Sequence, residues 1–178
     1  MGLDTRLAER LIPGQPVPPL GFLRGDGTRG ATDALGPAAL SLIAVYRGGW
    51  CADCRRFITA LDAAAPELRA IGIECVALSV DDAEAAALTA RDWDIVHLAL
   101  GSGLDVEAAR GWGLYASRMT MHGAERFCVE PGLFLLRPDH SLYALWIQSL
   151  PSARPQVSWL VETLTYLANA GFPLRGAD

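Results

Sequence analysis

The uncharged run Ala39-Leu40-Ser41-Leu42-Ile43-Ala44-Val45-Tyr46 has the length of a β-strand and lacks the alternation of a half-exposed one. It predicts a strand buried on both faces. Arg47-Gly48-Gly49-Trp50 reads as a turn, and Cys51 opens a helical segment through Ala65 whose apolar stripe is Phe57, Ile58 and Leu61. Pro66 suits the first position of a following helical turn, ended by Gly72. Ile73–Val80 is a second buried strand. Asp81 or Asp82 can cap a helix running to about Trp93. Ile95–Leu100 is a short strand, Gly101–Gly103 a loop and Asp105–Trp112 a helix. Gly132–Arg137 and Ser141–Ile147 form a hairpin around Pro138-Asp139-His140. A last amphipathic helix starts at Pro155, buries Val157, Leu160, Val161, Leu164 and Leu167, and stops at Gly171. Ahead of all this, Leu11–Leu20 holds Pro13, Pro16, Pro18 and Pro19, which excludes a helix and suits an extended arm. Leu20–Arg24 and Thr28–Thr32 are short extended pieces about the turn Gly25-Asp26-Gly27. The resulting order, β-α-β-α-β-α-β-β-α, begins as parallel βαβ units do and ends in a hairpin and a helix.

Composition narrows the function. At 178 residues the chain suits a single domain, residues 1–178, with its own core. Its 15 basic residues are all arginine, against 20 acidic ones, for a net charge of −5. An acidic chain without a basic block is a poor match for a nucleic-acid backbone. The longest stretch free of Asp, Glu and Arg, His140–Ala153, is 14 residues and contains proline, too short to span a membrane. Met1–Arg10 is charged and lacks the apolar core of a secretory leader, so the expected compartment is the cytoplasm.

Four cysteines, Cys51, Cys54, Cys75 and Cys128, carry the chemistry. In a reducing compartment such residues are catalytic, metal-binding or buried more often than structural disulfides. Trp50-Cys51-Ala52-Asp53-Cys54 falls between a buried strand and a helix. The first helical turn exposes unpaired N–H groups and the positive end of the macrodipole, which lowers the pKa of a thiol there. Cys54 lies one turn along the same face, within disulfide reach of Cys51. Cys51 is then the attacking thiolate and Cys54 the resolver. Half of a zinc site and two inert core cysteines are the competing readings. Cys75 and Cys128 form no second CxxC, and no His pair has ligand spacing. The redox reading calls for no metal or cofactor. Cys75 reads as a core residue, Cys128 as core or an approach to the site, and His97, His122 and His140 as uninvolved.

The chain resembles peroxiredoxin-like proteins of the alkyl hydroperoxide reductase/thiol-specific antioxidant (AhpC/TSA) superfamily. The resemblance rests on Ile12–Pro18, Tyr46-Arg47-Gly48-Gly49-Trp50-Cys51-Ala52-Asp53-Cys54, Val76–Asp81, Trp112–Ser117, Glu130-Pro131-Gly132-Leu133-Phe134, Arg137-Pro138-Asp139, Ala153-Arg154-Pro155 and Phe172–Gly176. It implies an α/β thioredoxin-like fold: a central mixed sheet flanked by helices, with a peroxiredoxin-type N-terminal extension. It also implies cysteine-based redox chemistry fed by a thiol donor of thioredoxin or glutathione type, with a homodimer among the open arrangements. In a thioredoxin-like layout Glu130-Pro131 would be a cis bond facing the CxxC, leaving nearby backbone free to pair with a substrate chain. Trp50, Glu130, Pro131 and Arg154 are therefore expected at the substrate.

Departures from the family pattern matter. Ala52 stands where members usually carry proline, Gly48 and Ala44 where typical peroxiredoxins carry Thr or Ser and Pro, and Pro131 where they carry a peroxide-polarising arginine. Arg47 and Arg154 are the candidate replacements. Missing donors and a facing cis-proline favour disulfide reduction over peroxide reduction. A thiol peroxidase and a non-catalytic binding module of the same fold are the alternatives.

Overall fold

The computed structural model describes residues 11–36, 38–121, 123–170 and 172–177. The expected leader-free start Met1–Arg10, the helix stop Gly171 and His122 lie outside them. After the arm, β1 (Gly21–Leu23) and β2 (Arg29–Ala31) form a small antiparallel ribbon, followed by a 3₁₀ turn at Thr32–Ala34. Then come β3 (Leu40–Val45), α1 (Ala52–Ala70), β4 (Ile73–Leu78), α2 (Ala83–Asp92), β5 (Ala99–Gly101) and α3 (Val106–Gly111). The chain finishes with β6 (Ala116–Met121), β7 (Ala124–Val129), β8 (Gly132–Leu136), β9 (Leu142–Ile147) and α4 (Val157–Ala170).

The central sheet has the order β5-β4-β3-β8-β9. β3, β4 and β5 run parallel, while β8 and β9 are antiparallel to their neighbours. Both faces of β3 are covered, as its uncharged sequence requires. Leu42, Ala44 and Tyr46 pack on the α1 and α4 side with Ile58, Leu61 and Leu164. Ile43 and Val45 pack on the other with Leu20, Trp112 and Phe134. The arm lies along the start of β9, where Gly14 N–H donates to the Leu142 carbonyl at 2.7 Å and Leu142 N–H to Gln15 at 2.9 Å. Trp112 Nε1 closes the contact on the Pro18 carbonyl at 2.9 Å.

Three elements differ from the sequence expectation. Pro66 lies inside α1, not at the start of a separate turn. It is exposed, while Leu61, Ala65 and Leu68 carry the buried stripe past it. That burial outweighs a proline penalty of about 3 kcal/mol. Second, the strand expected at Ile95 begins only at Ala99. Asp62, a buried carboxylate of α1, accepts the N–H groups of Val96, His97 and Leu98 at 2.7–3.3 Å and holds them in a loop. Third, β6 and β7 form a hairpin that sequence reasoning missed. Its alternating residues are mostly exposed or half-buried, so it lacks a continuous apolar run.

Candidate active site

β3 ends at Val45, and Arg47–Trp50 carries the chain to α1. The turn is tightly determined. Gly48 has φ +137°, and a Cβ there would come within 2.8 Å of both the Asp81 carboxylate and the Trp50 indole nitrogen. A hydroxyl-bearing side chain at this position would be strained in this backbone conformation. Asp81, following β4, accepts the Gly49 N–H at 3.0 Å, and burial pushes its pKa up. A side chain at Gly49 would strike the Thr89 hydroxyl.

Cys51 is the N-cap of α1, in extended conformation (φ −91°, ψ 110°). Its sulfur accepts the Cys54 N–H at 3.3 Å. Cys51 is 4% exposed and Cys54 fully buried, and all four cysteines are free thiols. The Cys51 pKa is lowered to about 6. The main cause is a hydrogen bond from the Cys54 thiol, opposed by burial and reinforced by the Cys54 N–H, Arg47 and Arg154. Cys54 moves the other way, raised by its bond to Cys51 and by burial. The two thiols are thus driven apart, Cys51 toward the thiolate and Cys54 toward the protonated thiol.

Arg47 and Arg154 flank this pair. The Arg47 backbone N–H donates to Cys54 Sγ at 3.4 Å. Its guanidinium lies over the Trp50 ring at 4.7 Å, donates to Met119 Sδ at 2.6 Å, and pairs with Glu130 (Nε to Oε2, 3.6 Å). Glu130 is 4% exposed, and its Oε1 faces the Cys128 thiol at 3.9 Å. Burial raises the Cys128 pKa. Arg154, before α4, donates through Nη2 to Cys54 Sγ at 3.2 Å and through Nη1 to the Asp53 carbonyl at 3.3 Å. Cys75 is remote from this chemistry, a core thiol pushed up to about 12 by burial.

Cys51, Cys54, Trp50, Glu130 and Arg154 are therefore linked through Arg47 and the two sulfurs. Pro131 requires a correction: among the described residues there is no cis peptide bond, so Glu130–Pro131 is trans. The backbone on both sides of the bond is hydrogen-bonded. Glu130 N–H donates to the Tyr115 carbonyl at 2.7 Å, and the Pro131 carbonyl accepts Gln148 N–H at 3.0 Å as β8 joins β9. Trans is also the intrinsically favoured isomer. Met119 and Asp81 are site residues that sequence reasoning did not assign; the first sits on the missed hairpin. Among the described residues no group of three His, Cys, Asp or Glu is arranged to hold a metal.

The sequence pattern of the AhpC/TSA family matches residues 13–144, spanning the CxxC and most of the sheet. The chain belongs to the AhpC/TSA family. No curated protein matches it. Among solved structures it is similar to the peroxidoxin BcpB from Mycobacterium tuberculosis, at 16% identity over 86% of this chain and 96% of that one, TM-score 0.69. A peroxiredoxin-like protein from Aquifex aeolicus superposes at TM-score 0.73, with 11% identity over 89% and 88% of the two chains. The bacterioferritin comigratory protein of Xanthomonas campestris gives 0.65, with 17% identity over 89% and 98%. These likenesses establish the peroxiredoxin form of the thioredoxin-like fold. Among the described residues no helix is long and apolar enough to cross a membrane.

Proposed function

We propose that this AhpC/TSA protein is a two-cysteine thiol peroxidase, with Cys51 as the attacking thiolate and Cys54 as the resolver. The observation that carries this reading is an almost buried Cys51 sulfur at the start of α1 that accepts the backbone N–H of Cys54, the residue that would resolve it, at 3.3 Å; its lowered pKa agrees with that placement. A site with 4% exposure suits a small oxidant better than a bulky disulfide. The sequence argument for disulfide exchange leaned on a cis Pro131, and the bond is trans. The Xanthomonas relative is described for alkyl peroxide reduction.

The chemistry balances with the residues present. The Cys51 thiolate attacks the terminal peroxide oxygen and the O–O bond breaks. The departing oxygen leaves as an alcohol or water after taking a proton. Cys51 is then a sulfenic acid. The Cys54 thiol attacks its sulfur, expels water, and forms the Cys51–Cys54 disulfide. Arg47 and Arg154 are the cations in the field of Cys51, and they offset the hydroxyl donor that Gly48 does not supply. A thiol donor then restores both cysteines. The cytoplasm, where such donors are kept reduced, fits this cycle.

Stopped-flow oxidation of the reduced protein at pH 7 tests the substrate. Hydrogen peroxide is expected to react faster than 2-hydroxyethyl disulfide, with peptide mapping giving a Cys51–Cys54 linkage. The opposite order would restore the disulfide reductase reading.

A further inference from the structure

A cleft of about 460 Å³ is lined in part by Arg154, whose guanidinium separates it from the buried resolving thiol. One wall is a single face of α1: Asp53, Arg56, Phe57 and Ala60, spaced as neighbours on a helix. The other is the 151–157 segment leading into α4, including Arg154. The cleft is large enough for a small ligand. Its inner end is chemically defined, because Arg154 Nη2 touches Cys54 Sγ at 3.2 Å. The guanidinium also lies over the Phe57 ring at 5.2 Å. Among the described residues no carboxylate pairs with Arg154, whereas Arg56 is tied to Asp53 at 3.5 Å. The cleft therefore presents a cation with no carboxylate partner among the described residues, over an aromatic floor, with the Cys54 sulfur on its far side.

We propose that this cleft is the seat of the reductant, and that the reductant is a low-molecular-weight thiol bearing a carboxylate. The proposal rests on the two-cysteine reading above. A carboxylate on the outer edge of Arg154 would anchor a short thiol arm beside the guanidinium that touches the buried Cys54 sulfur, and the arm reaches that sulfur as Arg154 shifts toward the carboxylate. Attack there is chemically favoured. Thiol–disulfide exchange is faster when the expelled thiolate is better stabilised, and Cys51 leaves at the N-terminus of α1 in the field of Arg47 and Arg154. The incoming thiolate forms a bond to Cys54 Sγ as the Cys51–Cys54 bond breaks. Cys51 leaves as thiolate with the electron pair. A second thiol molecule attacks the mixed disulfide, releasing the oxidised thiol dimer and Cys54, which takes a proton.

The test begins from full-length protein oxidised with diamide, so it does not depend on peroxide. Its reduction is timed at low salt with 3-mercaptopropionate, 2-mercaptoethanol and cysteamine. Each rate is divided by that thiol's rate with 2-hydroxyethyl disulfide, which removes differences in thiolate fraction and nucleophilicity. The normalised rate should be about tenfold higher for the anionic thiol than for the neutral one, and lowest for the cationic one. The preference should fall to about onefold in Arg154→Gln, and propionate should inhibit 3-mercaptopropionate in the unmodified protein. Equal or reversed rates, or a preference retained without Arg154, overturn the proposal. If Arg154→Gln fails to fold, the propionate competition decides alone. Protein that diamide leaves without a Cys51–Cys54 linkage refutes the two-cysteine reading together with the cleft. Linkage by diamide but not by peroxide refutes the peroxidase alone, and the thiol series still judges the cleft.

Discussion

Cys51 and Cys54 share a helix start, yet their surroundings drive them in opposite directions. Cys51 receives the Cys54 thiol hydrogen bond and the Cys54 N–H, with Arg47 and Arg154 adding favourable charge. A thiolate below its ordinary pKa gains reactivity as pH rises through the folded value and then levels off. Iodoacetamide labelling of Cys51 should rise around pH 6 and be flat above pH 7; a midpoint near the ordinary 9.0 would refute the assignment. Cys54→Ser retains a hydroxyl donor to Cys51, while Cys54→Ala removes the leading cause of the shift. The alanine variant should therefore titrate at higher pH than the serine variant, measured by thiolate absorbance near 240 nm. Arg47→Gln should also raise the Cys51 pKa, since it deletes a cation from its field.

At the scale of elements, α1 combines a functional start with a compromised end. Pro66 is exposed within it and cannot donate to the carbonyl four residues earlier. Pro66→Ala should raise stability by roughly 1–3 kcal/mol, read as a higher urea midpoint with an unchanged slope. A lower midpoint would mean that the restriction proline places on the unfolded chain dominates. Asp62 acts oppositely. Its carboxylate gathers three backbone N–H groups of the 96–98 loop. Asp62→Ala leaves these donors without that partner and should cost at least about 2 kcal/mol in the same assay. The Ile95 start was not legible because Ile95-Val96 reads as strand in any local window. A charged residue 34–36 positions away overrides it.

On the scale of the whole molecule, β3 and β8 each feed both layers of core. Leu42 and Leu133 lie on the α1 side, Ile43 and Phe134 on the other. Neither layer can unfold without breaking strands that support its partner. Trp93 reports the first layer and Trp112 the second. Fluorescence of single-tryptophan variants retaining one or the other should follow one cooperative transition. Two separated midpoints would count against a single domain. Phe134→Ala should cost about 3–5 kcal/mol while moving both probes together.

By itself the sequence determined the order of most elements, the burial of β3 on both faces, and the CxxC at a helix start. Each is written in residues close along the chain, through periodicity, turn chemistry and the unpaired N–H groups of a first helical turn. Only the tertiary structure decided what surrounds the sulfurs. Arg47 meets Met119 across 72 positions, and Arg154 meets Cys54 across 100. The hairpin carrying Met119 is held by pairing between two half-exposed strands, which leaves little apolar pattern to read. A local pattern fixes which face of an element is apolar. Which cation, carboxylate or sulfur it then meets depends on packing distant segments together, because electrostatic and hydrogen-bond partners are chosen by distance in space.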